Sequence, residues 1–428
     1  MSIVQTPTDP LERFIPISRH EIQDDLSQAP HWNSAEQRLF TDFCQLLTAT
    51  YHFQFHQLIE QLKSNYQPFN PDTDIVTKRH YLPAELEQKQ AKFIALMEKL
   101  LNDANYEKFT TAMINEAIQD GGHHGLAVYI DLDDYAEMLA FYRGSATQVL
   151  HKRTWRTLFL WAQTFHIPVY KRVIAVLKFK PEAERIHELM TTANHTEKQA
   201  QSIVWKSRAN LPSDIVDNQI FLKLFKDVPR SDIEVLFPNQ QIRLKLFDKI
   251  RLIITGGGGT VGGIFITISK VAAAALNPWA IAVAFAGLAA IIFRQVMGIF
   301  NLRTKYMMRL SRNLYFHNLD NNLGVVGHLV DAAEEEECKE AILAYYFLHS
   351  YSDIDYTQLQ LDQAIETHLR EKYGVRIDFE VADGLRKLRE LGLLLDHPGG
   401  ILKVVDLTRA CELIDSQWDN FFQYHHEK

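Results

Sequence analysis

Apolar positions recur with a helical period in the first and last thirds of the chain and alternate as in strands in the middle. Over one long stretch they run on without charged partners. The tetrad SAEQ at Ser34 resembles a capping box, in which a hydroxyl and a returning side chain satisfy free amides of a helix start. After it, Leu39, Phe43, Leu46, Leu47, Phe53 and Leu58 supply the apolar face of a long helix, ended by Pro71 and the Asp72/Asp74 pair. Pro83 opens a second helix carrying Leu86, Phe93, Leu96, Met97 and Leu100, since proline loses no needed N–H at that position. A third covers 107–119 and stops before Asp120-Gly121-Gly122. Residues 1–122 therefore read as a helical domain, with Pro7, Pro10 and Pro16 keeping its start irregular.

Between 123 and 240 the pattern changes to a small α+β module. Segments 166–179 and 219–225 are β-branched or aromatic and partly alternating, as strands are. SDIE at Ser231 is a second capping-box match and starts a brief helix before Phe237-Pro238. Residues 242–251 then alternate basic and apolar side chains, which suits an interfacial segment whose lysines meet anionic headgroups.

The uncharged stretch follows. Residues 252–269 carry no formal charge, nor do 271–293 beyond Lys270. A bilayer core asks for about 20 apolar residues per helix. Asn277-Pro278 breaks the stretch, predicting two membrane helices, 252–274 and 279–297, joined by a tight turn. Arg243, Lys245, Lys249 and Arg251 precede them, and Arg294, Arg303, Lys305, Arg309 and Arg312 follow. Basic residues at both outer ends place both ends on one side. The competing reading is a helical hairpin buried in a soluble protein. Gly258 and Gly262, Gly259 and Gly263, with Ala282 and Ala286 opposite, have the spacing for close helix packing in a membrane, within one hairpin or between protomers. GGGGTVGG lacks the Lys-Ser or Lys-Thr pair that a phosphate-binding loop requires.

In the C-terminal part, 334–349 predicts a helix whose acidic start suits the positive end of the helix dipole. A second helix, 359–373, carries Leu361, Ile365 and Leu369 and stops at Gly374; a third, 379–391, carries Val381, Leu385, Leu388 and Leu391. Residues 393–405 form a hairpin around Pro398-Gly399-Gly400, and a last helix, 407–422, bears Trp418, Phe421 and Phe422. Three helices and a hairpin make a winged-helix plan. Its third helix opens with Asp378, Glu380 and Asp383, which DNA phosphates would repel. Arg386, Lys387 and Arg389 come later and are balanced by Glu390, which argues against sequence-specific binding of nucleic acid. The expected fold class is a mixed α+β membrane protein. Its parts are the helical domain 1–122, the α+β module 123–240, a lead-in and transmembrane hairpin 241–298, and a winged-helix-like domain 299–428.

Composition changes this picture little. A formal charge of −8 gives no overall drive toward nucleic acid. Cys44, Cys338 and Cys411 are odd in number and far apart in sequence, which suits a reducing compartment. The start has neither the apolar run of a signal peptide nor the Arg-rich look of a mitochondrial presequence. The expected location is an integral, two-helix position in a bacterial inner or thylakoid-type membrane, both termini cytoplasmic.

No constellation announces a reaction. Glu334, Glu335, Glu336 and Glu337 with Cys338, Glu340 and His349 are metal-ligand residue types, but consecutive glutamates on a helix diverge, and a solvated helix start is the plainer expectation. Asp227, Arg230, Asp232 and Glu234 lie on a turn shortly before the hairpin, either as a capped turn with local ion pairs or as a coupling element to it. Arg143, before Gly144, could set a guanidinium near headgroups or a partner. Neither cluster pairs a nucleophile with a base, so no catalytic residue, cofactor or metal is expected.

Several stretches together resemble a known family: RFIPISRHEI from Arg13, AFYRG from Ala140, YKRVIAVLKFK from Tyr170 and LKLFKDVPRSDIEVLFP from Leu222. So do the hairpin, AAEEEECKEAILAYYFL from Ala332, FEVADGLRKLRELGLL from Phe379 and the WDNFF ending. The chain resembles the uncharacterised membrane family called domain of unknown function 3754, which is similar to the mitochondrial transmembrane protein 143 of animals. The resemblance implies membrane character and no activity. The leading expectation is a membrane-anchored scaffold or adaptor without catalysis, its soluble parts on one side of the lipid bilayer and its protein partners cytoplasmic. The alternatives are a subunit of an oligomeric channel or transport assembly, built as a homo-oligomer, and a lipid-binding protein or lipid-acting enzyme.

Overall fold

The computed structural model describes residues 2–4, 11–72, 79–120, 126–153, 162–208, 211, 218–239, 241–244 and 316–421, with isolated positions between 286 and 308. A short strand β1 (Ser2–Val4) precedes helices α1 (Arg19–Ser27) and α2 (Ser34–Tyr66). Asn33, one residue before the expected cap, starts α2: its Oδ1 accepts from Ala35 N and Glu36 N at 2.9 Å each, and Glu36 returns a bond to Asn33 N. Helix α3 (Pro83–Asp103) opens on its proline. Residues 107–119, expected as one helix, divide into strand β2 (Glu107–Lys108) and helix α4 (Thr111–Asp120).

Strands β3 (Leu126–Tyr129), β4 (Tyr135–Arg153) and β5 (Ala162–Phe179) follow, then helices α5 (Glu182–Thr192) and α6 (Glu197–Ser207). Next come β6 (Ile220–Pro229), a 3-10 turn (Arg230–Leu236), β7 (Gln241–Leu244) and β8 (Asn318–Asn321). The main sheet is antiparallel in the order β1-β4-β5-β6-β8, with β2 also on β4. It is buried on both faces. Leu139, Phe141, Ile174, Val176, Leu222 and Leu224 meet the helices, whereas Ala140, Val173, Ala175, Leu177 and Phe225 meet α4 and the 3-10 turn. Residues 241–244, expected at a membrane interface, are instead strand β7 paired with β3.

Helix α7 (Leu323–Ser350) is the spine of the helical layer, packed against α1, α2, α3, α8 (Gln358–Tyr373) and α9 (Val381–Glu390). The hairpin β9 (Leu394–Asp396) and β10 (Leu402–Val404) and helix α10 (Leu407–Asp419) complete the chain. A single apolar cluster runs from Ile15 through α2, α3 and α7 to Ile414. Helices α7 and α9 cross so closely that a Cβ on Gly384 would lie 3.1 Å from Glu340 O.

The fold is mixed α and β, and the expected transmembrane hairpin is not supported. Among the described residues no helix is long and apolar enough to cross a membrane. Length alone does not qualify one: α7 has 28 residues but carries the EEEECKE charge block in its middle. The segment expected to form the hairpin, 252–298, lies outside the described residues except for isolated positions. A run without charge asks for shelter from water, and lipid is only one such shelter. The placement as an integral, multi-pass membrane protein does not stand.

Candidate functional site

A crease crosses the centre of the sheet. Gly144, Lys171 and Asp227 fall in one row, between the pairs Arg143–Arg172 and Ser145–Tyr170 on one side and Arg172–Lys226 and Tyr170–Val228 on the other. Gly144 has φ 71° and Asp227 φ 51°, a left-handed conformation that glycine enters freely and aspartate more readily than most. Residues 11–18, a strap, lie across this row. A Cβ on Gly144 would stand 2.6 Å from Glu12 Oε2 and 2.8 Å from the Phe14 ring, so the strap needs the glycine. The buried Glu12 carboxylate meets Lys171 Nζ at 2.5 Å.

The strap is bound along its whole length. Arg143 stacks over the rings of Phe14 and Tyr106, at 4.8 and 5.0 Å, and donates to Ala104 O. Ile15 N donates to Glu336 Oε2 at 3.0 Å. Lys339 Nζ donates to Ile15 O at 2.7 Å and Ile17 O at 3.2 Å, and pairs with Glu336 at 2.8 Å. Asp378 N donates to Glu12 O, and Arg13 pairs with Glu380 at 2.6 Å. The strap thus ties sheet, α7 and the approach to α9 together.

Deeper in, Lys387 of α9 is fully buried and bonds to Glu340 and, at 3.0 Å, to Glu337. Asn105 Nδ2 donates to the other Glu340 oxygen at 2.9 Å. Burial pulls the Lys387 ammonium down, but its two carboxylates outweigh that and hold it above the usual lysine range. Burial pushes the Glu337 carboxyl up to about 7 despite Lys387. EEEECKE is therefore not a solvated helix start. Helix α7 begins at Leu323, which puts these charges in its interior turns, facing the strap and α9.

On the other side of the crease is a cavity of about 250 Å³, lined by the strap, Asn105, Glu107 of β2, Met113 of α4, β4, β5 and Arg230. The Arg230 guanidinium lies 5.0 Å from the Tyr170 ring centroid, and the rings of Tyr142 and Tyr170 are 4.6 Å apart. Tyr142 OH donates to Glu107 Oε2 at 3.0 Å. Burial first, then the Glu107 charge, push that phenol up to about 12. Charge and ring faces together equip the cavity for binding.

The candidate residues of the sequence are dispersed among these features. Arg143 is enclosed beneath the strap, Asp227 lies in the crease, and Arg230 lines the cavity. Asp232 and Glu234 sit on the 3-10 turn. Gly258, Gly259, Gly262, Gly263 and Ala282 lie outside the described residues, and Ala286 is an exposed helical position. The structure joins Gly144 to Arg230 across one cavity, although 86 positions separate them along the chain. Glu12, Glu107, Tyr142, Tyr170 and Lys171 carry no signal of their own in the sequence, because their partners are distant along the chain, and Lys387 reads there only as one of three basic residues late in a helix. Cys338 and Cys411 come close enough to Cys44 to add to the raising of its thiol pKa, after burial. Burial does most of the raising, to about 12 at Cys338.

Among the described residues no group of three or more His, Cys, Asp and Glu side chains could hold a metal ion. No solved structure matches the chain. Residues 170–324, from the cavity wall at Tyr170 through Arg230 to the start of α7, match the family described as Protein of unknown function (DUF3754), which supports the family name read from the sequence.

Proposed function

We propose that the chain is a scaffold or adaptor that acts by binding other proteins rather than by catalysis. The observation that carries this reading is how its buried charges are used. Glu12 with Lys171, Lys339 with Glu336 and the strap carbonyls, and Lys387 with Glu337 and Glu340 each join regions far apart in sequence. Breaking one buried pair costs about 3–5 kcal/mol, so such charges fix a frame in one arrangement. On that frame Trp418 and Phe421, 43% and 37% exposed, meet Phe53 edge-on at 5.6 and 4.5 Å. Aromatic side chains held rigidly at a surface carry much of the energy of protein interfaces.

Affinity capture with the full chain tests it, alongside Trp418→Ser and Phe421→Ser variants whose unfolding midpoints are measured in parallel. A reproducible protein partner, lost by both variants at unchanged midpoint, is the expected result. A folded chain without a reproducible partner, or a partner indifferent to both substitutions, overturns the reading.

A further inference from the structure

We propose that the cavity between the strap, β2 and Arg230 binds a small zwitterion, a molecule bearing a carboxylate and a protonated amine as a free α-amino acid does. This goes beyond the scaffold reading and does not rest on it. The volume, about 250 Å³, suits a ligand of that size: at ~30 Å³ per water it equals roughly eight waters.

The charges around the cavity select the class. Arg13 is taken by Glu380, and Glu12 by Lys171. Arg230 takes part in none of the ion pairs among the described residues, and its Nε is buried without a hydrogen-bond partner. With one guanidinium face on Tyr170, its edge donors remain for a carboxylate, the geometry in which arginine binds most strongly. Glu107 receives the Tyr142 hydroxyl on one oxygen and enters no ion pair with Arg230. A plain anion drawn to Arg230 would be opposed by Glu107, and a plain cation drawn to Glu107 would be opposed by Arg230. A zwitterion answers both groups at once. Tyr142 and Tyr170 offer ring faces to its side chain, and Ser145 adds a hydroxyl to the same wall.

The test uses the full chain and the standard α-amino acids singly, read by isothermal titration calorimetry and by thermal shift. Acetate and ethylamine serve as single-charge controls. At least one amino acid is expected to bind and raise the unfolding midpoint, with neither control doing so. Arg230→Lys keeps the charge but loses the fork, and Glu107→Gln keeps an acceptor for Tyr142; each should weaken binding about tenfold or more. Far-UV circular dichroism of both variants separates lost binding from lost fold, and Ser145→Ala, a smaller change in the same wall, provides a third variant that should weaken binding less. Three results overturn the proposal: no amino acid binds, acetate or ethylamine binds as well as any amino acid, or binding survives both charge-site substitutions in folded variants.

Discussion

Lys171 Nζ lies 2.5 Å from Glu12 Oε1, at the point where the strap crosses the creased row of the sheet. The carboxylate reaches that point only because Gly144 has no side chain there. Gly144→Ala combines a left-handed backbone with a Cβ 2.6 Å from Glu12 Oε2, so it should destabilise the fold by about 2–4 kcal/mol, measured by urea unfolding. Pairing it with Glu12→Ala, which removes the clashing carboxylate, should cost less than the sum of the two single changes.

Lys387 offers the sharper energetic test. Lys387→Met leaves Glu337 and Glu340 facing each other without their buried cation and should cost about 3–5 kcal/mol in chemical denaturation. Adding Glu340→Gln should recover part of the loss. Strict additivity of the two changes would show that the residues are energetically independent.

The same cluster sets a pH dependence. Lys387, Arg386, Glu340, Asp103 and Tyr51 surround Glu337, and burial raises its carboxyl from 4.5 to about 7. The folded state therefore holds this proton more tightly than the unfolded state. The associated stabilisation is complete below about pH 4.5 and is lost as pH rises to about 7. Denaturation curves at pH 5 and pH 8 should show a smaller drop for Glu337→Gln than for the unaltered chain.

Thiol chemistry tests the packing of the helical layer. Cys44 and Cys338 are buried, and burial raises both thiols out of the reactive range; Cys411 is less covered and is raised to about 11. With Ellman's reagent at pH 8 the native chain should react slowly, at Cys411 first, and all three should react once denaturant is added. Fast native reaction at Cys338 would contradict its packing against Arg19.

The elements that could be read from sequence are those with their own punctuation. Helix α3 begins at Pro83, and α8 ends where Gly374 takes φ 70°. Strand β4 escaped notice because both of its faces are buried, so Leu139, Ala140, Phe141 and Tyr142 show no polar alternation. The glutamates of α7 looked like a dipole-matched helix start because Lys387, their buried partner, lies on another helix. Of the cavity, only Arg230 and Gly144 stand out in the sequence. Its other walls come from chain segments that meet only after the sheet has formed.

The strap also has a place in time. Ile15 bonds to Glu336 across a separation of 321 residues. At 5–20 residues per second of synthesis, roughly 15–60 s separate the two ends of that bond on the ribosome. Through that interval Ile15 lacks its partner on α7, and whatever shields it then is not the native frame. The strap is made long before α7 and is among the last segments to be secured, so its long-range closure makes it a candidate for the slow step in refolding.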